Sequence, residues 1–407
     1  MVSPFAVHHP QAAHVVIELF GGDNNLTDYV EEDMAEMAAG IGEDVAVLAV
    51  ADVFNGPARV VEITARHGVS VVEELGEIDT GDPEVLSELL GRALASFSET
   101  SRIAIGFWDH GSGVFDERGL LRRVLPRARL PRWRLSRSFP ARRLFFSTAE
   151  LLHDVELRAM LHDDQSGGLL TNREAGNMLR DSFAAAGRKR PVDLIFSDTC
   201  LNGMIEVASE FEEFAQCIVG SEELEPGDGW DYHEWFSRMA ASPPADGQAW
   251  GRQAVEAMEA GYAGRPEQHP VTLSAVRSRS GVADAFADLI RVASPLGRPG
   301  FRYLDWARSQ SQIFASGYDS YDMLDFAEKL AADGEIAEIA AAAEGLAGAI
   351  REAVVHSIAL GAAVARAKGL AFWFPASRGS FDKDVETYAD LRFDGLTGWS
   401  TYLDGHR

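Results

Sequence analysis

The sequence has 407 residues, of which 46% are apolar and 25% charged, a composition typical of a globular protein that can bury a core. Its formal net charge of −26 argues against an overall affinity for nucleic acid or for an anionic membrane. The two cysteines are too few for a disulfide framework or a zinc site, so we expect a reducing compartment, the cytoplasm. The sequence predicts neither a signal peptide nor a membrane span.

The first 200 residues alternate between strand-like and helix-like patterns. Apolar runs predict buried strands at 14–20, 45–52, 102–108 and 192–196, and a hairpin that turns at 66–68. Helices are predicted at 26–39, from the apolar spacing, and at 83–97, where a proline follows a capping aspartate. Apolar strands separated by helices are typical of a mainly parallel sheet that is covered on both faces.

The second half of the chain is richer in helical patterns. A helix is predicted at 204–215 and strands at 216–222, 271–276 and 369–375. Long alanine-rich segments at 326–348 and 350–367 predict two further helices. We therefore expect one large α/β unit with added C-terminal helices.

One segment, 118–143, differs from the rest in its charge. It contains ten arginines and no acidic residue, whereas the whole chain carries −26, so the remainder carries −26 − 10 = −36. Three interpretations are open: a solvated insertion, a nucleic-acid-binding arm, or a loop with a role inside this protein. The acidity of the rest of the chain argues against the second, because it would compete with nucleic acid for the loop.

Two predicted strands end in chemically reactive turns. The strand at 102–108 leads into His110 and Gly111, and the strand at 192–196 leads into Cys200. If the strands are neighbours in a parallel sheet, the imidazole and the thiol meet at its carboxyl edge, and the imidazole can take the thiol proton. The N–H groups of Gly111 and Cys200 are candidate donors to an oxyanion. The alternative for Cys200 is a buried structural thiol. Ser112 is a weaker candidate for the nucleophile, and Cys217, inside an apolar strand, is predicted to lie in the core.

The chain resembles the clostripain family of cysteine peptidases, which has the caspase-like fold. The matching segments, in chain order, are DNNL with EDMAEM, EIDTGDPEVL, FWDHGSG, SDTCLNGMIEVASEF, SEELEPGDGWDYHEWF, YDMLDFAEKL and GLAFWFP. The resemblance implies an α/β caspase-like fold, with a mainly parallel central sheet and helices on both faces. The expected divisions are 1–117 with the catalytic histidine, an arginine-rich loop at 118–146, 147–290 with the catalytic cysteine, and a helical region with a final strand at 291–407.

The resemblance also implies a His110–Cys200 dyad and cleavage after basic residues, chiefly arginine. Asp198 and Asp228 are then candidates to pair with the arginine in the S1 pocket, the pocket for the residue before the cut bond. The alternatives are a helix cap for Asp198 and a turn-former for Asp228. Trp230 either walls the groove or packs in the core. Glu222 and Glu223 are weaker candidates that an exposed face explains equally well, and the SDTCLNG segment departs from the family's more apolar run.

The arginine-rich loop suggests a zymogen. It would lie over an acidic pocket and be cut on activation, by the enzyme itself or by an upstream protease, at one of its arginines: Arg122, Arg123, Arg127, Arg129, Arg132, Arg134, Arg137, Arg142 or Arg143. The expected partners are peptides with an exposed arginine. Alternatives are a scaffold that binds basic peptides without cutting them, and a peptidase of another specificity.

No cofactor is required by this chemistry, and the resemblance leaves calcium as an optional activator. Acidic residues are abundant around 163–164 and 319–322, but they lack the spacing of an EF-hand. We interpret them as a solvated face and predict no metal site.

Overall fold

The computed structural model describes residues 2–114, 160–264, 270–315 and 317–406. The arginine-rich segment and all of its candidate processing residues lie outside the described residues. Within them, the dominant feature is one large, mostly parallel sheet. The strands are, in chain order, β1 (His14–Gly22), β2 (Val45–Val53), β3 (Ala58–Thr64), β4 (Gly68–Gly76), β5 (Arg102–Trp108), β6 (Leu161–His162), β7 (Leu169–Leu170), β8 (Val192–Asp198), β9 (Ala215–Gly220), β10 (Val271–Arg277), β11 (Ile313–Phe314), β12 (Ser320–Asp322), β13 (Val354–Leu360) and β14 (Ala371–Trp373).

The central sheet joins nine of the described strands in the order β13-β10-β9-β8-β5-β1-β2-β3-β4. The inner strands β2, β1, β5, β8 and β9 are parallel, and the outer strands pair antiparallel. The predicted mainly parallel sheet, its strands and the β3–β4 hairpin are thereby confirmed. The pairing of β5 with β8 brings the ends of these two strands to one edge.

Thirteen α-helices lie in the described part of the chain. They are α1 (Thr27–Gly40), α2 (Pro83–Ala95), α3 (Asn172–Ala186), α4 (Ile205–Phe211), α5 (Tyr232–Ala241), α6 (Gly247–Tyr262), α7 (Val282–Ala293), α8 (Arg298–Gln310), α9 (Met323–Asp333), α10 (Ala337–Ala353), α11 (Arg378–Tyr388), α12 (Arg392–Thr397) and α13 (Trp399–His406). The predicted cap of α2 is confirmed, since the Asp82 side chain accepts from the N–H of Glu84.

Alternate side chains of the central strands pack into two hydrophobic cores, one on each face of the sheet. Val15, Ile17 and Leu19 of β1 pack in the core that also contains α2, α3 and α4, whereas Val16 and Phe20 pack in the core that contains α1, α5 and α6. This follows from the two-residue period of a strand, and it explains why the inner strands read as continuous apolar runs. The C-terminal helices extend the first core.

The second alanine-rich segment was predicted wrongly as a helix. The first segment splits at Gly334, whose left-handed backbone ends α9, and α10 ends at Ala353. The following segment, Val354–Leu360, is instead strand β13, which pairs antiparallel with β10 at the edge of the central sheet. Its β-branched valines and isoleucine favour this extended pairing over a helix. The final strand, β14, belongs to a separate three-stranded sheet with β11 and β12.

Gly106 makes room for a carboxyl group inside the central sheet. It lies on β5 between Glu18 of β1 and Phe196 of β8. A Cβ at this position would lie 2.3 Å from the Glu18 carboxyl and 2.4 Å from the Phe196 ring. Glu18 is fully buried. Because the sheet leaves these side chains little room to move, the glycine is what permits Glu18 to stand in the core.

We expect Gly106→Ala to destabilise the fold by about 2 kcal/mol or more, because the added methyl overpacks this site. Gly345→Ala is the matched control, since Gly345 lies inside α10 with open space around it, and we expect that change to stabilise by about 0.5–1 kcal/mol. Urea unfolding followed by circular dichroism measures both variants. Equal stability of the two would contradict the proposed packing of Glu18 against Gly106.

Candidate active site

Cys200 lies in the turn that follows β8 and is 4% exposed. The next residue, Leu201, has a left-handed backbone (φ 62°), and its N–H donates to the carbonyl of Glu223 at 3.2 Å. The N–H of Glu225 donates to Sγ of Cys200 at 3.3 Å. Such a donor stabilises a thiolate over a thiol. The sharp turn therefore holds the sulfur against a segment, 223–225, that stabilises negative charge on it.

His110 follows β5 at the same edge of the sheet and is 7% exposed. Trp108 pairs with Asp198 in the register of β5 and β8. His110 comes two residues after Trp108, and Cys200 comes two residues after Asp198. Nε2 of His110 lies 2.7 Å from Oδ1 of Asn25. Because an amide oxygen only accepts, this contact assigns the proton to Nε2 and makes Nδ1 the basic nitrogen of the ring.

Asp109 ties the histidine turn to two other segments. Its carboxyl accepts hydrogen bonds from the N–H groups of His110 and His162 and from the side chain of Asn24. Burial nevertheless raises the pKa of Asp109 well above its usual value. Through these three hydrogen bonds the carboxyl braces the backbone that carries His110.

Gly111 packs directly against the backbone of Cys200. A Cβ there would lie 2.3 Å from the Cys200 carbonyl oxygen and 2.8 Å from its nitrogen. Only glycine allows the two turns to approach this closely. The two turns that carry the expected oxyanion donors, the N–H groups of Gly111 and Cys200, are thus in contact.

His110 and Cys200 line one surface cavity, whose walls come from four segments of the chain, including their own. The lining residues are Leu26, Tyr29, Asp33, Trp108, Asp109, His110, Asp198, Thr199, Cys200, Glu225, Pro226, Gly227, Asp228 and Gly229. Five of these carry carboxyl groups, and among the described lining residues none is a lysine or an arginine. The cavity is therefore strongly acidic.

Asp198 lies in the buried wall of this cavity and is 5% exposed. It accepts from the Tyr232 hydroxyl at 2.9 Å and from the carboxylic acid of Glu225. Burial raises the pKa of Asp198. For Glu225, burial is the larger cause and the charge of Asp198 the second, and together they raise its pKa well above the usual value. Glu225 thus holds the proton and donates it to Asp198. The helix-cap alternative for Asp198 finds no support, since α4 begins at Ile205, after Met204 as its cap.

Asp33 in the cavity lining and Glu18 outside it extend this acidic cluster. Asp33 of α1 accepts from Nε1 of Trp108 at 2.7 Å, and burial, with the charge of Asp198, raises its pKa to about 9. Glu18 lies deeper, and burial together with the charges of Asp198 and Asp33 raises its pKa well above the usual value. At neutral pH Asp33 therefore keeps its proton.

The remaining candidates are placed in different surroundings. Asp228 is exposed at the rim of the cavity. Trp230 is 2% exposed, packs on Phe196 and Trp235, and donates to Glu225 at 3.1 Å, so it supports the wall from behind. Burial raises the pKa of Cys217 to about 12, which agrees with a core thiol. Ser112 is buried and does not line the cavity.

Glu222 and Glu223 lie neither on an exposed face nor in the cavity lining. Glu222 is 1% exposed, accepts from the N–H of Gly369 at 3.0 Å, and donates as a protonated carboxyl to Asp322. Glu223 accepts from the N–H of Ala315. Both therefore tie the cysteine turn to the C-terminal region.

The interpretation of the other acidic residues as a solvated face is wrong for Asp163 and Asp322. Both are fully buried, and Asp319 is 9% exposed, whereas Asp164 is exposed as expected. Sequence spacing could not reveal this, because the burial of these residues comes from distant segments that fold over them.

Sequence reasoning missed Asn25, Asp33, Glu225 and Glu18 as residues of the site. The first three belong to segments that carried the family resemblance, DNNL, EDMAEM and EPGDGW, but a contact between distant turns leaves no local pattern. Glu18 did leave a signal, since a single carboxyl inside an apolar strand must be buried and protonated or paired.

We expect Asp33→Asn to flatten the pH dependence of stability. The unfolded carboxyl titrates near 3.8 and the folded one near 9, so the folded state binds the extra proton and the free energy of unfolding falls as pH rises between these values. Asparagine still accepts from Trp108 but does not titrate. The variant should melt a few degrees above the unsubstituted chain at pH 8 and lose this advantage near pH 4. Asp28→Asn, which removes an exposed acid from the same helix, should show no such trend in thermal unfolding scans.

Comparison with known proteins agrees with this geometry. The family model described as "Clostripain family" matches residues 19–126 and 152–342. A search of curated proteins finds no match. The structure is similar to a secreted C11 cysteine protease from Bacteroides thetaiotaomicron with an irreversible peptide inhibitor (14% identity, TM-score 0.67, 95% of this chain and 99% of that one). It is also similar to an inactive zymogen C11 protease from Parabacteroides distasonis (16% identity, TM-score 0.67, 95% and 98%).

A membrane-spanning segment is not found among the helices that the structure describes. The central sheet with helices on both faces is the caspase-like fold of these neighbours. The family match covers well over half of the chain, in two segments that include both His110 and Cys200. The chain belongs to the clostripain family and is a cysteine peptidase.

Proposed function

We propose that this peptidase is an endopeptidase that cleaves after arginine, with lysine as a second choice. The observation that carries the proposal is the cavity that Cys200 and His110 share with five carboxyl-bearing residues and with no basic side chain other than His110 among its described lining. A guanidinium group is the side chain whose charge and donor geometry best match paired carboxylates.

In the proposed reaction, Cys200 and His110 act as a dyad. Nδ1 of His110 takes the proton of the thiol, and the thiolate attacks the carbonyl carbon after the arginine. The oxyanion accepts from the N–H groups of Gly111 and Cys200, the contacting turns. The imidazolium then protonates the leaving amine, and water, with His110 as its base, hydrolyses the thioester.

The carboxyl groups act in two layers on the arginine. Asp228 at the rim would attract and first bind the guanidinium, and Asp198 in the wall would pair with it inside. Because burial holds the pKa of Asp198 and of Asp33 above their usual values, an entering cation favours their ionised forms and displaces protons. Binding of arginine should therefore release protons and tighten as pH rises toward 9.

The arginine-rich segment 118–143 supplies a candidate for regulation. Its ten positive charges lie in the chain between His110 and Cys200, and the remainder of the chain is strongly negative. We propose that one of its arginines occupies the acidic cavity until the segment is cut. One of the similar structures is an inactive zymogen, which supports a zymogen here too. The cut would be made by the enzyme itself or by an upstream protease.

The proposed reaction uses only groups of this chain and its peptide substrate, without a cofactor. Calcium would act as an optional activator away from the reacting atoms. The cytoplasmic location is likewise a proposal: it rests on two buried cysteines that form no disulfide, and cell fractionation tests it. A scaffold that binds basic peptides without cutting them is the competing function, and the pairing of the Cys200 thiol with the Glu225 N–H at a histidine-bearing edge argues for chemistry instead.

We expect purified wild-type protein to process itself and the Cys200→Ala variant to stay intact, because the attack needs the thiolate. Intact-mass spectrometry over time should find wild-type fragments that end at an arginine within 118–143. Processing that is unchanged in Cys200→Ala would assign the cut to another protease. A wild type that remains without activity on arginine peptides, even after trace trypsin opens the segment, would support the scaffold.

We expect Asp228→Asn to lower kcat/KM about ten-fold or more for peptides with arginine before the cut bond, through loss of one charge-assisted pairing. The kcat/KM for peptides with glutamine at that position should change little, so the ratio of kcat/KM for arginine peptides to that for glutamine peptides should fall. Asp28→Asn, which removes a nearby charge outside the cavity lining, is the control for general electrostatics. An equal loss on both peptides would place Asp228 outside specificity and assign it to turn structure.

A further inference from the structure

Another cavity opens at the edge of the central sheet opposite the active site. It lies where the parallel strands β5, β8 and β9 begin, whereas His110 and Cys200 follow the far ends of β5 and β8. Its volume is about 340 Å³, which is within the range of small-molecule sites. The proposed reaction makes no use of this cavity.

The lining of this cavity is basic, although the chain as a whole is acidic. Arg102, Arg188 and Arg190 all line it, and Asp193 is the one acidic residue in its described lining. The whole chain has 63 acidic and 37 basic residues, so three arginines beside one carboxylate reverse the overall balance. The remaining lining residues are uncharged, and none of them has an aromatic ring.

The carboxylate of Asp193 is already paired within the protein. Its Oδ1 accepts from Nη1 of Arg102 at 2.7 Å, and its Oδ2 accepts from the N–H of Ile103 at 3.1 Å. Both oxygens are therefore engaged at the start of β5. The charge of Asp193 offsets that of Arg102, which leaves two positive charges in the cavity lining.

Arg188 and Arg190 hold their guanidinium groups on backbone oxygens. Nε of Arg188 donates to the carbonyl of Arg190 at 3.1 Å, and Nη2 of Arg190 donates to the carbonyl of Glu99 at 2.5 Å. Neither guanidinium forms an ion pair with a carboxylate in the part of the chain that the structure describes. Each therefore keeps donors and a full charge for a partner in the cavity.

Arg188 is half-buried, so its charge is partly removed from water. Burial lowers the pKa of its guanidinium, and the charge of Arg190 lowers it further. The charges of Asp193 and Glu99 oppose this shift but do not cancel it. A charge in such a place is unfavourable until an opposite charge joins it, and an anion in the cavity would supply that charge.

We propose that this cavity binds a small molecule through its phosphoryl groups, either pyrophosphate or the phosphate chain of a nucleotide. Guanidinium groups match phosphate oxygens in charge and in the fork of their donors. Two adjacent charges without a carboxylate partner suit an anion of two or more charges. Because the described lining offers no aromatic ring on which a base could stack, the phosphoryl groups would carry the recognition.

A bound anion would act on the two strands that carry the reactive turns. Arg102 is the first residue of β5, and the connection that contains Arg188 and Arg190 leads into β8. An anion held by these side chains would join the beginnings of the two strands. It would stabilise the folded chain, as does any ligand that binds the folded state alone. The binding itself rests neither on the dyad nor on the preference for arginine.

The test uses the full chain carrying Cys200→Ala, so that no self-cleavage alters the protein during the titration. Isothermal titration with pyrophosphate in metal-free buffer should show one saturable site per chain, and pyrophosphate should raise the melting temperature. Arg188→Gln and Arg190→Gln should each weaken binding about ten-fold or more, because each removes a charge-assisted pairing. Lys189→Gln is the matched control, since it removes the same charge from the same connection but lies outside the cavity lining, and it should change binding less than about two-fold.

Two further titrations identify the source of the phosphoryl groups. Tighter binding of ATP than of pyrophosphate would assign the cavity to a nucleotide, and tighter binding of pyrophosphate would assign it to a free phosphate chain. Citrate, which carries carboxylates and a similar charge, should bind about ten-fold more weakly than the tighter of the two.

Four results would overturn the proposal. They are the absence of saturable binding of both pyrophosphate and ATP, binding that neither Arg188→Gln nor Arg190→Gln weakens, an equal loss in Lys189→Gln, and citrate binding as tight as that of the phosphates. Replacement of the ten arginines of 118–143 by glutamine should leave the binding intact, because that segment supplies no residue to the described lining.

Arg190 is exposed, so Arg190→Gln keeps the test decisive even where Arg188→Gln fails to fold. Binding of pyrophosphate by a chain that shows no peptidase activity would leave this site in place and refute the proposed function alone.

Discussion

The parallel pairing of β5 with β8 is the constraint on which the rest of the site depends. It places Trp108 opposite Asp198, so that the turns after both strands emerge at the same edge of the sheet. Gly111 then approaches the backbone of Cys200 too closely for any side chain. Because both strands are buried on two faces, a slip in this register would move side chains into the wrong core and take Gly106 away from Glu18, so it is strongly disfavoured. The packing of β5 and β8 in the core therefore fixes the positions of His110 and Cys200.

A second constraint is a group of carboxyl side chains held in a poorly solvated place. Asp33, Asp198 and Glu225 line the cavity, Glu18 is buried near Asp33 and Asp198, and burial raises the pKa of each of these carboxyl groups. This arrangement lowers the stability of the fold as pH rises above about 4, because the folded state keeps protons that the unfolded chain releases. Gly106 shows that the sheet also accommodates it sterically, since only glycine leaves room for Glu18.

The sequence by itself determined the strands of the central sheet except β13, the helices α1, α2 and α4, and the chemistry of the two reactive turns, because the two-residue and 3.6-residue periods and the turn residues are local signals. It also placed His110, Cys200 and Asp198 at strand ends, from which their meeting followed once parallel pairing was assumed. Tertiary structure alone decided that 354–360 is an edge strand, that Trp230 supports the wall from behind, and that Asp163 is buried. It alone brought Asn25 to His110 and Glu225 to Cys200. These contacts join residues 85 and 25 positions apart, and such distances are set by how the layers pack, which no local pattern records.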